Sequence, residues 1–247
     1  MAAENPDAVS ADYDYGVLRQ RFFGDPVRVP ALAAVRPVYH SLFADVKLSD
    51  ALSTSAADAS ALTCSSGGGF SYGETAIESV WRLFNRLPLQ EYSEGATVVD
   101  LGSGIGNVVA AIALLGASGE LSGRIARVQG VELLPSLHAI AADAIHKLEN
   151  LTLPPSLPLP LPHCVVRCED LEAYDLSDVD VVYMTTTVFG DELMARFAQR
   201  AAASLRAGSR VITLASNPLV HDAFEMAGCV PTWNSWGEEE AIIHVKL

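Results

Sequence analysis

Apolar positions along the chain change their spacing repeatedly, and each change marks an element. Ile77, Val80, Trp81, Phe84 and Leu87 recur at helical spacing until Pro88 ends the run. Thr97-Val-Val-Asp-Leu101 is a short β-branched and apolar block, the mark of a buried strand. Gly102, Gly104 and Gly106 then form a tight turn ahead of an apolar helical run, Val108 to Leu115. The alternation repeats. A second strand is expected at Ala126–Glu132. The helix after it has Pro135 near its first turn and Leu137, Ile140, Ala141, Ala144, Ile145 and Leu148 along one side. A third strand, Cys164–Cys168, leads into Glu169-Asp170-Leu171, and a fourth, Val179–Met184, into Thr185-Thr-Thr-Val-Phe-Gly190. A helix from Asp191 to Leu205 with Gly208 as its terminating glycine follows. A fifth strand at Arg210–Leu214, a short helix at about Val220–Ala227 and a closing hairpin in Val230–Leu247 complete the series. Alternating strands and helices predict a parallel sheet covered on both faces. With the hairpin, the expected fold is α/β, a Rossmann-like seven-stranded sheet.

Residues 1–69 read as a partly helical extension to a main domain at 70–247. Its first twelve residues are small and polar, and short helices are expected at Asp14–Phe23 and about Ala33–Val46. Leu52–Gly69 is rich in Ser, Ala and Gly, ends in Gly67-Gly68-Gly69, and reads as a flexible loop. Leu153–Pro162 alternates Leu with Pro, which excludes helix and central strand and predicts a stiff extended connector. Pro155 to Pro158 is a P-x-x-P, but no basic residue lies close by to orient a partner.

Half of the 247 residues are apolar, enough for a sizeable core, and the formal net charge is −14. So acidic a chain lacks an unaided grip on nucleic acid phosphates, whereas a basic protein substrate is attracted to it. Cys64, Cys164, Cys168 and Cys229 form no C-x-x-C pair and match no zinc spacing, so no metal is expected. Free thiols suit a reducing compartment. The opening residues lack the basic and apolar regions of a secretory signal, and the longest apolar stretch, Val108–Ala117, is too short to span a bilayer. An intracellular protein, cytoplasmic or nuclear and with no membrane partner, is the expectation.

The glycine spacing narrows the chemistry. In the dinucleotide fingerprint G-x-G-x-x-G the third glycine would fall on Asn107, so the fingerprint fails. What stands there is Asp100-x-Gly-x-Gly-x-Gly106, with Glu132 and Asp170 ending the next two strands. Acids so placed at the carboxyl ends of parallel strands suit the ribose hydroxyls and the adenine amino group of a nucleoside without pyrophosphate. The turn resembles motif I of the class I S-adenosylmethionine (SAM) methyltransferases, which implies SAM as cofactor. Tyr72-Gly73-Glu74, Asp100-Leu-Gly-Ser-Gly-Ile-Gly-Asn107 and Gly130-Val-Glu132 together resemble the disruptor-of-telomeric-silencing family, the non-SET histone-lysine methyltransferases, over about residues 70 to 247.

That resemblance implies cofactor contacts from Tyr72 and Glu74, and from Asp100, Gly102, Ser103, Gly104, Gly106 and Asn107 in the turn, where the family usually has Gln at the last place. It further implies Glu132 and Leu133 at the ribose and Asp170 and Leu171 at the adenine. The pattern breaks after the fourth strand. The family's Asn-Asn-Phe-x-Phe loop is here Thr186-Thr187-Val188-Phe189-Gly190, and the family's basic DNA-gripping segment is missing. Thr186, Phe189 and Tyr72 are the catalytic candidates, with Phe189, Tyr72 and Trp236 as walls of an acceptor channel. No general base stands out, and His221 and His244 read as structural or surface residues. The expected activity is N-methylation of a protein lysine. The alternatives are a small-molecule methyltransferase of the same fold and a non-catalytic SAM-binding module.

Overall fold

The computed structural model describes residues 32–46, 51, 58 and 73–247. Tyr72, the expected helix at Asp14–Phe23 and most of the expected Leu52–Gly69 loop lie outside them. Asp58, from that stretch, is helical.

Helix α1 (Val35–Leu42) and helix α2 (Ile77–Phe84) precede strand β1 (Ala96–Leu101) and helix α3 (Asn107–Ser118). Strand β2 (Ile125–Glu132), helix α4 (Pro135–Asn150), strand β3 (His163–Cys168), strand β4 (Val181–Met184) and helix α5 (Asp191–Ser204) follow. Strands β5 (Arg210–Leu214), β6 (Phe224–Asn234) and β7 (Gly237–Lys246) close the series. Seven strands form one sheet in the order β3-β2-β1-β4-β5-β7-β6, with β7 antiparallel between β5 and β6 and the first five strands parallel. The order reverses at β1, between β2 and β4, where parallel sheets of this kind open a ligand crevice.

Alternate residues of each strand feed two cores. Val98, Val128, Val181, Tyr183 and Ile212 join α1, α2, α3 and α4 in one cluster. Val99, Leu101, Val182, Met184 and Val211 join Met194, Phe197, Ala198 and Ala201 of α5 in the other. Helix α3 is apolar nearly all round because sheet and helices enclose it, and its buried residues include Val109, Ile112, Leu114 and Leu115. Leu32, Val35, Tyr39, Leu42 and Phe43 share that first core, so α1 is packed into the main domain.

Two expected details are overturned. The short helix at Val220–Ala227 does not form: Phe224, Glu225 and Met226 pair with Lys246, Val245 and His244, and a register shift beside Gly228 keeps the ladder going. Cross-strand hydrogen bonds to a distant segment override a local helical spacing. Gly208 does not end α5, which stops at Ser204 with Leu205 already extended. Gly208 instead turns the chain into β5 at φ 88°, and its N–H donates to Lys246 O at 2.8 Å. The expected connector at Leu153–Pro162 is irregular, with Leu157 buried and Leu159 exposed. Among the described residues no helix is long and apolar enough to cross a membrane.

Candidate cofactor and acceptor site

β1 delivers Asp100 to the reversal point, paired with Gly130 of β2 and Tyr183 of β4. The turn after it needs three left-handed residues: Gly102, Gly104 and Gly106 have φ of 82°, 54° and 78°. A β-carbon strains each of these positions. Gly102 and Ser103 donate their N–H groups to Val131 O at 2.8 and 3.0 Å, which seats the turn on β2. Gly130 makes room for it. A β-carbon on Gly130 would come within 2.8 Å of Ser103 Oγ and 2.9 Å of Val109 Cγ2. Gly106 caps α3 and lets α4 approach, since its β-carbon would lie 3.1 Å from that of Ala141.

Two acids, Asp100 and Glu132, lie at this turn in low-dielectric surroundings, and a third, Glu74, is buried ahead of α2. Burial drives Asp100 well above the usual carboxylate range, and repulsion from Glu132 adds to the shift. Burial likewise raises Glu74. Glu132 is raised by burial too, against the backbone N–H groups that favour its charged form. Its Oε2 accepts from Gly104 N and its Oε1 from Leu134 N, both at 2.8 Å. Two polar atoms of the same turn, Ser103 Oγ and Asn107 Nδ2, are buried without a hydrogen-bond partner. A buried unpaired donor costs about 1–3 kcal/mol, which a polar ligand reaching the turn would offset.

The chain ahead of α2 is tied to the hairpin. Ser235 N donates to Glu74 O at 2.8 Å, Glu74 N donates to Ser235 Oγ at 3.0 Å, and Ala76 N donates to Trp233 O at 2.9 Å. Thr75 pairs with Asn234 in an isolated bridge. Beneath it lies a closed polar network. Thr75 Oγ1 shares a 2.8 Å hydrogen bond with Tyr183 OH and donates to Asn234 Oδ1 at 2.9 Å, and Asn234 Nδ2 donates to Thr232 Oγ1 at 3.2 Å. Burial pushes the Tyr183 phenol up to about 12, so it stays neutral.

Set against known proteins, the family model described as "Histone methylation protein DOT1" matches residues 55–153, a span running from the extension through the glycine turn and Glu132 to the end of α4. The chain is a class I SAM-dependent methyltransferase resembling the DOT1 family. No curated protein sequence matches it. Among solved structures, the methyltransferase superposes on the magnesium protoporphyrin IX methyltransferase (ChlM) from Synechocystis PCC 6803 with bound SAM. That match has a TM-score of 0.50 and 12% identity and covers 96% of this chain and 100% of that one. An RNA methyltransferase from Salinibacter ruber, in complex with S-adenosyl-L-homocysteine, gives a TM-score of 0.47 at 16% identity over 69% of this chain and 90% of that one. TrmN from Thermus thermophilus gives 0.47 at 18% over 70% and 48%. At such identities the likeness is one of fold.

The remaining expected residues of the methyltransferase are distributed unevenly. Asp170 is exposed beyond β3, where its Oδ1 accepts from Glu172 N at 2.9 Å and shapes the turn. Leu171 is half-buried, and its carbonyl accepts from Arg200 Nη2 at 2.6 Å. Leu133 is half-buried between Glu132 and α4. Phe189 lies over the glycine turn, with its Cζ 3.2 Å from where a β-carbon of Gly102 would stand. Thr186 is fully buried, and its Oγ1 accepts from Leu214 N at 3.0 Å, so it ties the loop after β4 to β5. Asn217 Nδ2 donates to Phe189 O at 2.6 Å and Thr186 O at 3.3 Å. Glu239 accepts from Ser216 N at 2.9 Å, Trp236 Nε1 at 3.3 Å and Thr187 Oγ1 at 3.4 Å. Sequence reading missed Asn217 and Glu239. Asn217-Pro218 after a strand is a turn signal, whereas Glu239 sits in a run of three glutamates that reads as plain surface. His244 is buried on β7 within 3.0 Å of Thr213 Oγ1, and burial lowers it to about 4.

Proposed function

We propose that this methyltransferase N-methylates a lysine of a basic protein. The observation that carries the cofactor half of the reading is the buried pair Ser103 Oγ and Asn107 Nδ2, left unpartnered in a turn that three left-handed glycines hold open. On this reading Gly102, Ser103, Gly104, Gly106 and Asn107 hold the methionine portion of SAM, with Asp100 and Glu74 facing its ammonium group. Glu132 keeps lone pairs beyond its two backbone bonds and accepts the ribose hydroxyls. Leu133, Asp170 and Leu171 flank the adenine. Tyr72, outside the described residues, stays a proposed contact beside Gly73.

Bound SAM supplies an already activated methyl, so no general base is required to make the donor reactive. The chain's task is to position and dry the acceptor. Phe189 presents an apolar ring at the turn, and an apolar wall favours the neutral amine over ammonium, the form that has a lone pair to give. Asn217 fixes that ring's backbone. Thr186 supports the loop as an anchor and offers no amide to an acceptor.

A second reading, methylation of a small molecule, is favoured by that same substitution of Thr for the family's Asn. Incubation with labelled SAM and, in parallel, histones, nucleosomes, total lysate protein and a low-mass extract separates them. Label on a protein band supports the lysine reading. Label confined to the low-mass fraction supports the second. SAM binding by calorimetry with no transfer to any fraction overturns both in favour of a non-catalytic module.

A further inference from the structure

At the tip of the β6–β7 hairpin, the indole of Trp236 lies directly on Gly73. A β-carbon on Gly73 would come within 2.4 Å of Trp236 Cζ3 and 2.5 Å of its Cε3. Only a glycine lets the ring settle there, because such contacts are far inside van der Waals separation. Trp236 Nε1 is held by Glu239 at 3.3 Å, and Glu239 in turn holds Ser216 N after β5. Just after this contact the entering chain is tied to the same hairpin by Ser235 N to Glu74 O, Glu74 N to Ser235 Oγ and Ala76 N to Trp233 O. Glu74, immediately after Gly73, is 3% exposed, whereas Trp236 is 41% exposed. A large ring left partly in water yet packed on a backbone is poorly placed as a core residue. Its contact is with the segment that delivers Glu74.

We infer that Trp236 is a positioning residue for SAM binding: it clamps Gly73 so that Glu74 is held at the cofactor crevice, and Glu239 orients the clamp. The assignment deepens the methyltransferase reading and rests on Glu74 belonging to the SAM site. It gives Trp236 a role through the backbone of another segment, distinct from forming the wall of an acceptor channel. Specificity for the acceptor is then left to the loop after β4, while the hairpin governs affinity for the donor.

The test is a double-mutant cycle in the full chain, with Trp236→Ala, Trp236→Phe, Gly73→Ala and the pair Gly73→Ala/Trp236→Ala. Trp236→Ala is expected to raise KM for SAM about tenfold with kcat at saturating SAM within about twofold, and Trp236→Phe to restore most of the loss. Gly73→Ala is expected to raise KM similarly by displacing the ring, and the pair to be no worse than either single change. Thermal melting reads the same contact without any ligand. Gly73→Ala is expected to lower Tm by about 5 °C in the parent and by less than half as much when Trp236 is already Ala. A KM change under twofold for Trp236→Ala, or equal Tm losses from Gly73→Ala in both backgrounds, overturns the clamp. A parent that binds no SAM by calorimetry overturns instead the methyltransferase reading, and the Tm cycle still decides whether the ring holds Gly73.

Discussion

Asp100 carries opposite demands from stability and binding. Its pKa is raised in the folded chain, first by burial and then by Glu132, so the native state holds this proton more tightly than the unfolded chain. Its contribution to stability is therefore best at acid pH, where both states are protonated. The contribution declines as pH rises from the ordinary carboxylate value through the raised native one. Asp100→Asn removes that penalty while keeping the side chain's shape. The expected outcome is a higher Tm at pH 7 together with at least about a tenfold loss of SAM affinity, read by melting and by calorimetry. On the proposed site a bound ammonium favours ionised Asp100, so SAM binding by the parent should also release protons, visible as a binding heat that depends on the buffer's own ionisation heat. Gly130 makes a sharper demand. A methyl there meets Ser103 Oγ at 2.8 Å and Val109 at 2.9 Å, so Gly130→Ala should displace the turn and abolish measurable SAM binding, with a loss of about 1–3 kcal/mol in urea unfolding.

The loop after β4 is where family resemblance and this chain part. Thr186 Oγ1 receives Leu214 N–H at 3.0 Å in a fully buried position. Thr186→Val keeps the volume and strands that N–H, an expected loss of about 1–3 kcal/mol in denaturant unfolding. Thr186→Ser keeps the acceptor and should recover most of it. A loss from Thr186→Ser with none from Thr186→Val would show that the methyl, not the hydroxyl, matters. This division of labour was not visible in Thr185-Thr-Thr, since three equal residues in a row give no periodicity to say which one turns inward. The strands and helices of the sheet were legible, because each carries its own spacing and the glycine turn its own steric logic. So were Asp100 and Glu132, which stand at the ends of readable strands. Phe224–Ala227 was misread because its partner, β7, is a separate strand whose pull leaves no local mark. Asn217, Glu239 and the Thr75–Tyr183–Asn234 network were invisible for the same reason. Each is defined by a contact between segments far apart in sequence.

Charge acts over the molecule as a unit. At a formal −14 the folded chain repels itself and attracts cationic partners from a distance. Salt screens both effects over about 10 Å at 0.1 M. If the acceptor is a basic protein, its KM should rise several-fold between about 0.05 and 0.3 M NaCl while KM for SAM, which carries little net charge, changes much less. Identical salt dependence for both substrates would count against a basic protein acceptor. The two cores on either side of the sheet are the rigid frame for this comparison, since neither depends on exposed ion pairs. The acids of the glycine turn are buried in the frame's interior, where salt has little access to them.

The pairing of Gly73–Ala76 with the hairpin also sets an order of assembly. Glu74 N and Ser235 Oγ are 161 residues apart in the chain. During synthesis the glycine turn, β1 and β2 leave the ribosome before the hairpin that receives Glu74–Ala76. The strand that receives it, β6, is itself paired only with β7. A nascent chain therefore has its glycine turn before it can seat Glu74 on the hairpin. On the proposed site, the donor gains its Glu74 contact only once β6 has been made, so binding should tighten late in synthesis.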